Sequence, residues 1–158
     1  AESADGFSKS NGAEAELAVR ICYDLLAQGT LPPDALGVIS PYNGQVTLLR
    51  RLLARALGTH ARAVEIASVD GFQGREKEAI VLSAVRSNAR NATGFLGDWR
   101  RLNVSLTRAR RALIVVGDSR TLDADPHWRA FIAHVRERGG LVLWGEHAQP
   151  HAAGAAPC

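Results

Sequence analysis

A polar stretch between two short apolar runs decides the fold: Ser68-Val69-Asp70-Gly71-Phe72-Gln73-Gly74-Arg75-Glu76-Lys77-Glu78. The runs on either side, residues 63–67 and 79–85, are rich in Val and Ile and have the length of buried strands. In an open α/β sheet, ligands bind at the carboxyl ends of the strands. A segment that leaves a strand with Asp, Gln, Arg and Glu in quick succession is therefore placed to bind a ligand.

An ordinary solvated turn is the alternative interpretation of this stretch, because surface loops are polar by default. Two features favour a binding role. Gly71 and Gly74 permit close approach of the backbone or a positive φ. A second dense basic stretch, residues 99–111, lies at the foot of a later strand.

Composition narrows the class of protein. The 158 residues are 46% hydrophobic and 22% charged, as in one globular domain. The chain has no apolar run that could span a bilayer and no signal-peptide pattern, so no membrane partner is predicted. The net charge of +3 is weak evidence for nucleic acid, whereas the clustering of arginines is better evidence. Cys22 and Cys158 form no disulfide framework and fit a reducing compartment, the cytoplasm or the nucleus.

Strands and helices alternate along the chain, which predicts an α/β fold with a mostly parallel sheet covered by helices on both faces. Residues 1–10 are predicted to be irregular, 11–144 to form one domain, and 145–158 to be a flexible tail. The predicted strands are 36–39, 64–67, 79–85, 112–117 and 141–144. The predicted helices follow Asn11 and Asn43 and cover 98–110 and 126–138.

Several local features of these helices are predicted from spacing. Asn11 and Glu14 have the spacing of a capping box, and Asn43 is expected to cap the second helix. Cys22 is expected to be a small buried hydrophobe. In helix 98–110 one face carries apolar residues and a neighbouring face carries Arg101, Ser105 and Arg108, with Arg110 nearly opposite Arg108. In helix 126–138 the expected buried positions are Phe131 and Val135.

A complete catalytic apparatus is missing from the sequence. Nothing matches the phosphate-binding loop Gly-x-x-x-x-Gly-Lys-Ser/Thr, and the spacing of Gly71 and Gly74 is not that of a dinucleotide fingerprint. No metal site and no Ser–His–Asp arrangement are predicted. The remaining arginines suit anions, and a planar, always charged guanidinium suits a transferring phosphoryl group. Glu76 would be repelled by phosphate, so its expected partner is a ribose hydroxyl or a nearby Arg; surface ion pairing is the alternative.

Three segments together resemble motifs IV, V and VI of superfamily 1 helicases of the Upf1-like branch. They are Ser40-Pro41-Tyr42-Asn43-Gly44-Gln45, the stretch from Ser68 to Ala79, and Arg100-Arg101-Leu102-Asn103-Val104-Ser105-Leu106-Thr107-Arg108-Ala109-Arg110. The second segment, which continues to Val85-Arg86-Ser87-Asn88, is most similar to the immunoglobulin mu-binding protein 2 type. The resemblance covers about residues 11–144, and motifs V and VI are long and occur in the family's order and spacing.

The resemblance implies a RecA-like three-layer domain. In that family two RecA-like domains close on ATP; the first carries the phosphate-binding loop and the Mg²⁺ ligands, and the second carries motifs IV to VI. This chain resembles only the second, so the Mg²⁺ ligands are expected outside it. The missing loop, the absence of Met and the start at Ala1 favour a fragment of a larger protein.

The resemblance also assigns site residues. Arg108 is the expected catalytic residue, the arginine finger on the γ-phosphate, and Glu76 is expected to contact the nucleotide sugar. Gln73 and Gly74 are expected beside the nucleotide, linking it to the nucleic-acid groove. The positions expected near the backbone of a single strand are Ser40, Tyr42, Ser68 and Asp70. For Arg101 and Arg110 a functional role and a structural salt bridge remain open.

The activity implied is 5′→3′ movement along single-stranded RNA or DNA, driven by ATP. The implied partners are the single strand and the first RecA-like domain of the same polypeptide; the chain alone is expected to be inactive. Tyr42, Phe95 and Trp99 are candidates for base stacking, but core packing is the expected role of Phe95 and Trp99. The alternatives are a non-catalytic binding module of the same fold and a DNA replication helicase–nuclease, whose members tend to have Tyr-Gln-Gly-Arg-Asp at positions 72–76.

Overall fold

A four-stranded parallel sheet forms the centre of the molecule. The computed structural model describes the backbone of residues 2–5 and all of residues 8–144. The strands are Glu2–Asp5 (β1), Ser8–Asn11 (β2), Leu36–Ser40 (β3), Glu65–Ser68 (β4), Lys77–Ser83 (β5) and Ala109–Val116 (β6). The helices are Gly12–Ala27 (α1), Asn43–Leu57 (α2), Trp99–Leu106 (α3), Ser119–Leu122 (α4) and Pro126–Glu137 (α5). The parallel strands lie in the order β4-β3-β5-β6.

The sheet is buried on both faces because its strands are apolar at successive positions. Val38 and Val81 pack with the buried residues of α1 and α2 in one core. Ile39 and Ile80 point to the other face, where they pack with buried residues of α3 and α5. The result is a three-layer arrangement, and the predicted α/β fold with a parallel sheet is confirmed.

Phe72 fixes the path of the segment between β4 and β5. Because these two strands are parallel, this segment must return from the carboxyl end of β4 to the amino end of β5. Phe72 is fully buried on the way. It packs so closely that a Cβ at Gly37 would lie 2.6 Å from its Cζ and 2.6 Å from Cδ1 of Ile80. Because Gly37 of β3 has no side chain, the ring of Phe72 has room to pack against the sheet there.

The start of α1 combines one correct prediction and one wrong one. Oδ1 of Asn11 accepts from the N–H of Glu14 at 3.3 Å, as an N-cap does. The N–H of Asn11, however, donates to Oε1 of Gln45 at 2.8 Å rather than to Glu14. The carboxylate of Glu14 is buried and accepts from the N–H of Val85 at 2.7 Å. Its Oε1 still accepts from Nδ2 of Asn11 at 3.2 Å, while Oε2 is the atom that reaches the amide of Val85, just beyond β5.

The helix predicted for residues 98–110 is too long. It ends at Leu106, with Thr107 as its C-cap, and the backbone then enters β6. The strand continues from Ala109 because it pairs with β5, with Ala109 opposite Lys77. Arg108 thus lies in a turn and Arg110 in a strand, so the predicted helical faces do not include them.

The ends of the chain differ from expectation in two places. Residues 2–5 and 8–11 pair as antiparallel strands, whereas residues 1–10 were predicted to be irregular. The segment 141–144 was predicted to be a strand, but it has no strand structure and Val142, Leu143 and Trp144 are exposed. Its apolar residues suited a strand, but the segment pairs with no strand that the structure describes. The tail predicted for 145–158 lies outside the described residues.

Smaller corrections concern α2 and α5. The N-cap of α2 is Tyr42, which makes no side-chain capping bond, and Asn43 is the first helical residue. In α5 the buried positions are Trp128 and Ile132, each three residues before the predicted Phe131 and Val135, which are only partly buried. The indole N–H of Trp128 donates to the carbonyl of Leu96 at 2.9 Å, which explains its burial.

Cys22 behaves as predicted. It is a free, fully buried thiol in α1, and burial raises its pKa to about 12. Such a thiol carries almost no thiolate at neutral pH, so its role is packing rather than chemistry.

Candidate functional site

The predicted site residues lie at opposite ends of the sheet. Ser40 and Ser68 end β3 and β4, so they mark what we call the carboxyl edge. Glu76 precedes β5 and Arg108 precedes β6, so they mark the amino edge. The expectation that the whole polar stretch lies at the carboxyl ends is wrong, because the chain must return between the parallel strands β4 and β5.

The amino edge gathers charged residues that are distant in sequence. The N–H of Lys77 donates to the carbonyl of Arg108 at 3.1 Å, which joins the two strand starts. Nε of Arg110 donates to Oε2 of Glu76 at 3.0 Å. We call Arg75, Glu76, Lys77, Arg108 and Arg110 the amino-edge cluster.

Arg108 is held by neutral groups. Its Nε donates to the carbonyl of Val104 at 3.0 Å, Nη1 to the carbonyl of Arg75 at 3.3 Å, and Nη2 to Oγ1 of Thr107 at 2.9 Å. The side chain is half-buried, and no acidic residue in the described part of the chain lies within ion-pair distance of it. The guanidinium is therefore oriented while its charge remains available to an anion.

The other basic residues of the cluster are paired. Arg110 bonds to Glu76, which raises the pKa of the guanidinium above its ordinary value. Arg75 and Lys77 both contact the carboxylate of Glu65. Partial burial raises the pKa of Glu65, but the hydrogen bonds from Arg75 and Lys77 outweigh it, and the net shift is downward. Of the two roles left open for Arg110, the structure contains the salt bridge.

Gln73 and Gly74 lie between the two edges. Both are exposed, in the turn that follows the short 3-10 helix Asp70–Phe72. Gly74 has a φ of +78°, a conformation that side chains other than glycine's rarely adopt. The chain reverses here before it reaches Glu76.

At the carboxyl edge, two of the expected contact residues are buried. Ser40 has no exposed surface and its Oγ accepts from the N–H of Tyr42 at 3.4 Å. Tyr42 is buried as well. Their side chains face the interior, so a contact with nucleic acid at these positions would have to be made by backbone atoms. Ser68 and Asp70, in contrast, border an open cleft.

This cleft has a volume of about 190 Å³. Oδ2 of Asp70 lies 3.1 Å from Nη2 of Arg101, so these two lining residues form an ion pair and the structure contains the salt bridge considered for Arg101. Phe95 is 56% exposed and Trp99 is 55% exposed, so the prediction that they pack in the core is wrong. The lining residues are Pro41, Asn43, Ser68, Val69, Asp70, Phe95 and Arg101.

The sequence did not indicate Asn43 as a cleft residue, and it named Phe95 as a stacking candidate but favoured core packing for it. An aromatic residue in a loop looks the same in sequence whether it is buried or exposed. The one available signal is that Phe95 lies between Gly94 and Gly97 in a loop by composition, where a short 3-10 helix presents it to solvent.

A buried polar network involving Asn11, Glu14 and Val85 lies next to the carboxyl edge. Val85 has a φ of +74°, and the N–H of Arg86 donates to the carbonyl of Ala84 at 2.9 Å, the pattern of a γ-turn. The carboxylate of Glu14 accepts from the N–H of Val85 at 2.7 Å, and Nδ2 of Asn11 donates to the carbonyl of Val85 at 3.1 Å. A β-branched residue in this conformation is strained, and these bonds hold it in place.

In residues that the structure describes, no group of three or more His, Cys, Asp or Glu is arranged to hold a metal ion. None of the described helices combines the length and apolar composition needed to cross a membrane.

Comparisons with known proteins agree with the motifs. A family model described as an AAA domain matches residues 1–120. The regulator of nonsense transcripts 1 of Dictyostelium discoideum is 42% identical over 143 residues, which cover 89% of this chain and 11% of that protein. The ATP-dependent helicase NAM7 of Saccharomyces cerevisiae is 44% identical over 144 residues, 89% of this chain and 15% of the relative. The DNA-binding protein SMUBP-2 of Mesocricetus auratus is 43% identical over 135 residues, 85% of this chain and 13% of the relative. The chain thus spans 11 to 15% of the length of these curated relatives.

Proposed function

The chain belongs to the AAA domain family and to its Upf1-like superfamily 1 helicases, and on this premise we propose that it is the second RecA-like motor domain of an ATP-dependent 5′→3′ helicase. Its partners are a single strand of RNA or DNA and the first RecA-like domain of the same polypeptide. Relatives named as an ATP-dependent helicase and as a DNA-binding protein support this proposal.

The proposal depends most on the groups that hold the guanidinium of Arg108. Arg108 is the member of the amino-edge cluster whose guanidinium is oriented by carbonyls and a hydroxyl rather than by a carboxylate. An anion that approaches this edge meets a positive charge already directed by three hydrogen bonds. Arginine also offers a planar fork that matches a phosphate.

In this proposal the residues at the amino edge have separate roles toward ATP, which supplies the phosphoryl group that is transferred to water. Arg108 contacts the terminal phosphate and stabilises its negative charge. Glu76 accepts from a sugar hydroxyl, and Arg110 orients its carboxylate. Gln73 and Gly74 lie beside this site, and Mg²⁺ is held by the first RecA-like domain.

The segment from Ser68 to Lys77 would couple the two edges. Its two ends lie at the carboxyl and the amino edge, and Phe72 packs rigidly against the sheet between them. A displacement of Glu76 or of the turn at Gly74 is therefore transmitted toward Asp70. Contacts of the carboxyl edge with a single strand would be sequence-tolerant, and the binding as a whole would be salt-dependent.

The proposal is tested by Arg108→Ala in the full-length protein. Removing an arginine finger lowers the rate of phosphoryl transfer by roughly 10³–10⁵-fold in systems of this kind. We expect a loss of that size in single-strand-stimulated ATP hydrolysis, with binding of a single-stranded oligonucleotide changed less than about twofold, because Arg108 lies at the other edge. The matched control is Arg111→Ala, since the Arg111 side chain is 82% exposed on β6, and it should hydrolyse ATP normally. Lost binding with surviving hydrolysis would show that the roles are misassigned.

The chain by itself should not hydrolyse ATP, because it has no phosphate-binding loop. Phosphate release from a purified preparation measures this directly. Turnover above that of the Arg108→Ala chain prepared in the same way would contradict the proposal.

A further inference from the structure

We infer that Phe95 is a base-stacking residue and that the cleft at the carboxyl edge receives a nucleobase rather than a phosphate. This inference rests on the proposed function, since it specifies which part of the single strand the cleft contacts.

Phe95 is exposed yet held in position. More than half of its surface, 56%, is open to solvent. Cζ of Arg101 lies over the ring, 5.4 Å from its centroid, and the ring of Tyr42 lies 5.8 Å away at 51°. These neighbours contact the ring, and Phe95 is also one of the residues that line the cleft.

The loop that carries the ring is also fixed. Gly94 has a φ of +58°, and a Cβ at this position would lie 3.1 Å from Oη of Tyr42. The loop therefore packs directly on the end of the buried Tyr42 side chain. Tyr42, which the sequence placed near the single strand, supports Phe95 from beneath. A platform that is already ordered loses little conformational entropy on binding.

The charges in the cleft favour a base. Arg101 is the one cationic side chain that lines it among the described residues, and Asp70 accepts from it at 3.1 Å. A phosphate would compete with this carboxylate for its cation. A base would meet the exposed part of Phe95 together with Val69 and Asn43, which also line the cleft, and this combination suits a planar aromatic with hydrogen-bonding edges.

Trp99 provides a matched control for exposure. It is 55% exposed, and Cζ of Arg100 lies over its ring at 5.7 Å. It does not line the cleft. Trp99 and Phe95 are thus alike in exposure and in their cation–π contact, but only Phe95 of the two lines the cleft.

The experiment measures binding of the full-length protein, without nucleotide, to a fluorescent single-stranded oligonucleotide over a series of salt concentrations. Stacking of one base is worth about 5- to 150-fold in affinity. We expect Phe95→Ala and Phe95→Leu to weaken binding within that range, Phe95→Trp to retain most of it, and Trp99→Ala to stay within about twofold of the wild type. The dependence of log K on log salt should keep its slope in all variants, because no phosphate contact is lost.

A second set of oligonucleotides tests stacking itself. With abasic sites placed one position at a time, the wild type should lose affinity most strongly at one position, and Phe95→Ala should be insensitive there. The inference would be overturned if Phe95→Ala and Phe95→Leu bound within twofold of the wild type, or if the salt slope of these variants fell by about one. The proposed function would stand in either case. A wild-type protein that does not bind single strands would overturn both.

Discussion

The carboxyl and amino edges of the sheet both carry arginine, but they leave different chemistry open to a ligand. At the carboxyl edge Arg101 is paired with Asp70, and the open surface offers an aromatic ring and an amide. At the amino edge Arg110 is paired with Glu76, but Arg108 bonds to neutral oxygen atoms. Counting basic residues would make the two edges look alike. The pairing of each guanidinium separates a surface suited to a base from one suited to a phosphate.

One segment of the chain connects the carboxyl and the amino edge. A single polar stretch begins at one edge and ends at the other, and Phe72 is buried between them. The two proposed ligands are therefore contacted by consecutive parts of one segment. Variants that loosen one edge should affect the other only through this segment.

The larger stability effect is expected at the carboxyl edge, from Glu14→Ala. The substitution leaves the buried N–H of Val85 without its acceptor and releases a strained turn. Loss of such a buried, charge-assisted bond costs about 2–4 kcal/mol. We expect the free energy of local opening, measured by amide hydrogen exchange at Val85, to fall by this amount.

Two comparisons make this prediction specific to one edge. Glu16→Ala removes an exposed carboxylate from the same part of α1 and should leave exchange at Val85 unchanged. In Glu14→Ala, the amide of Lys77, which donates to Arg108 at the amino edge, should keep its protection. Equal loss of protection at Val85 and Lys77 would mean that the edges do not open separately.

A smaller effect is expected at the amino edge, from Glu65→Gln. The pKa of Glu65 is lower in the folded protein than its ordinary value of 4.5, so the unfolded chain binds this proton first as the pH falls. The contacts with Arg75 and Lys77 therefore stabilise the fold above pH 4.5 and are lost as the pH falls through the folded pKa. Ion pairs near the surface are worth below about 1 kcal/mol.

Thermal unfolding across this pH range checks the sign. Glu65→Gln should unfold earlier than the wild type near neutral pH, and the difference should shrink in acid. Glu137→Gln is the control, because Glu137 is exposed and has no ion-pair partner in the described part of the chain. A gap between Glu65→Gln and wild type that widens in acid would reverse the assigned direction of the shift.

Much of the fold could be predicted because local signals agreed with the final packing. Runs of Val and Ile at residues 64–67 and 79–85 predicted β4 and β5 to within a few residues, and Gly58 ends α2 as expected. The motifs placed Arg108 and Glu76 in one candidate site, and the structure brings both into the amino-edge cluster through pairing of β5 with β6.

The remaining features depend on partners far away in the sequence. The end of α3 at Leu106 follows from the pairing of Ala109 with Lys77, which no helical pattern reveals. Glu14 accepts from the N–H of Val85, 71 residues away, rather than from the N–H of Asn11 as a capping box requires. The exposure of Phe95 depends on Tyr42 already filling the space beneath it. Long-range contacts of this kind override local propensity.

The most direct test of two separate edges is a double-mutant cycle on single-strand affinity without nucleotide, with wild type, Arg108→Ala, Phe95→Ala and the double variant. Independent sites should add to within about 0.5 kcal/mol. We expect Arg108→Ala to change affinity less than about twofold in either background, and Phe95→Ala to weaken it in both. If Arg108→Ala weakens binding as much as Phe95→Ala, and the double variant is no weaker than either, the two edges form one site and the account is contradicted.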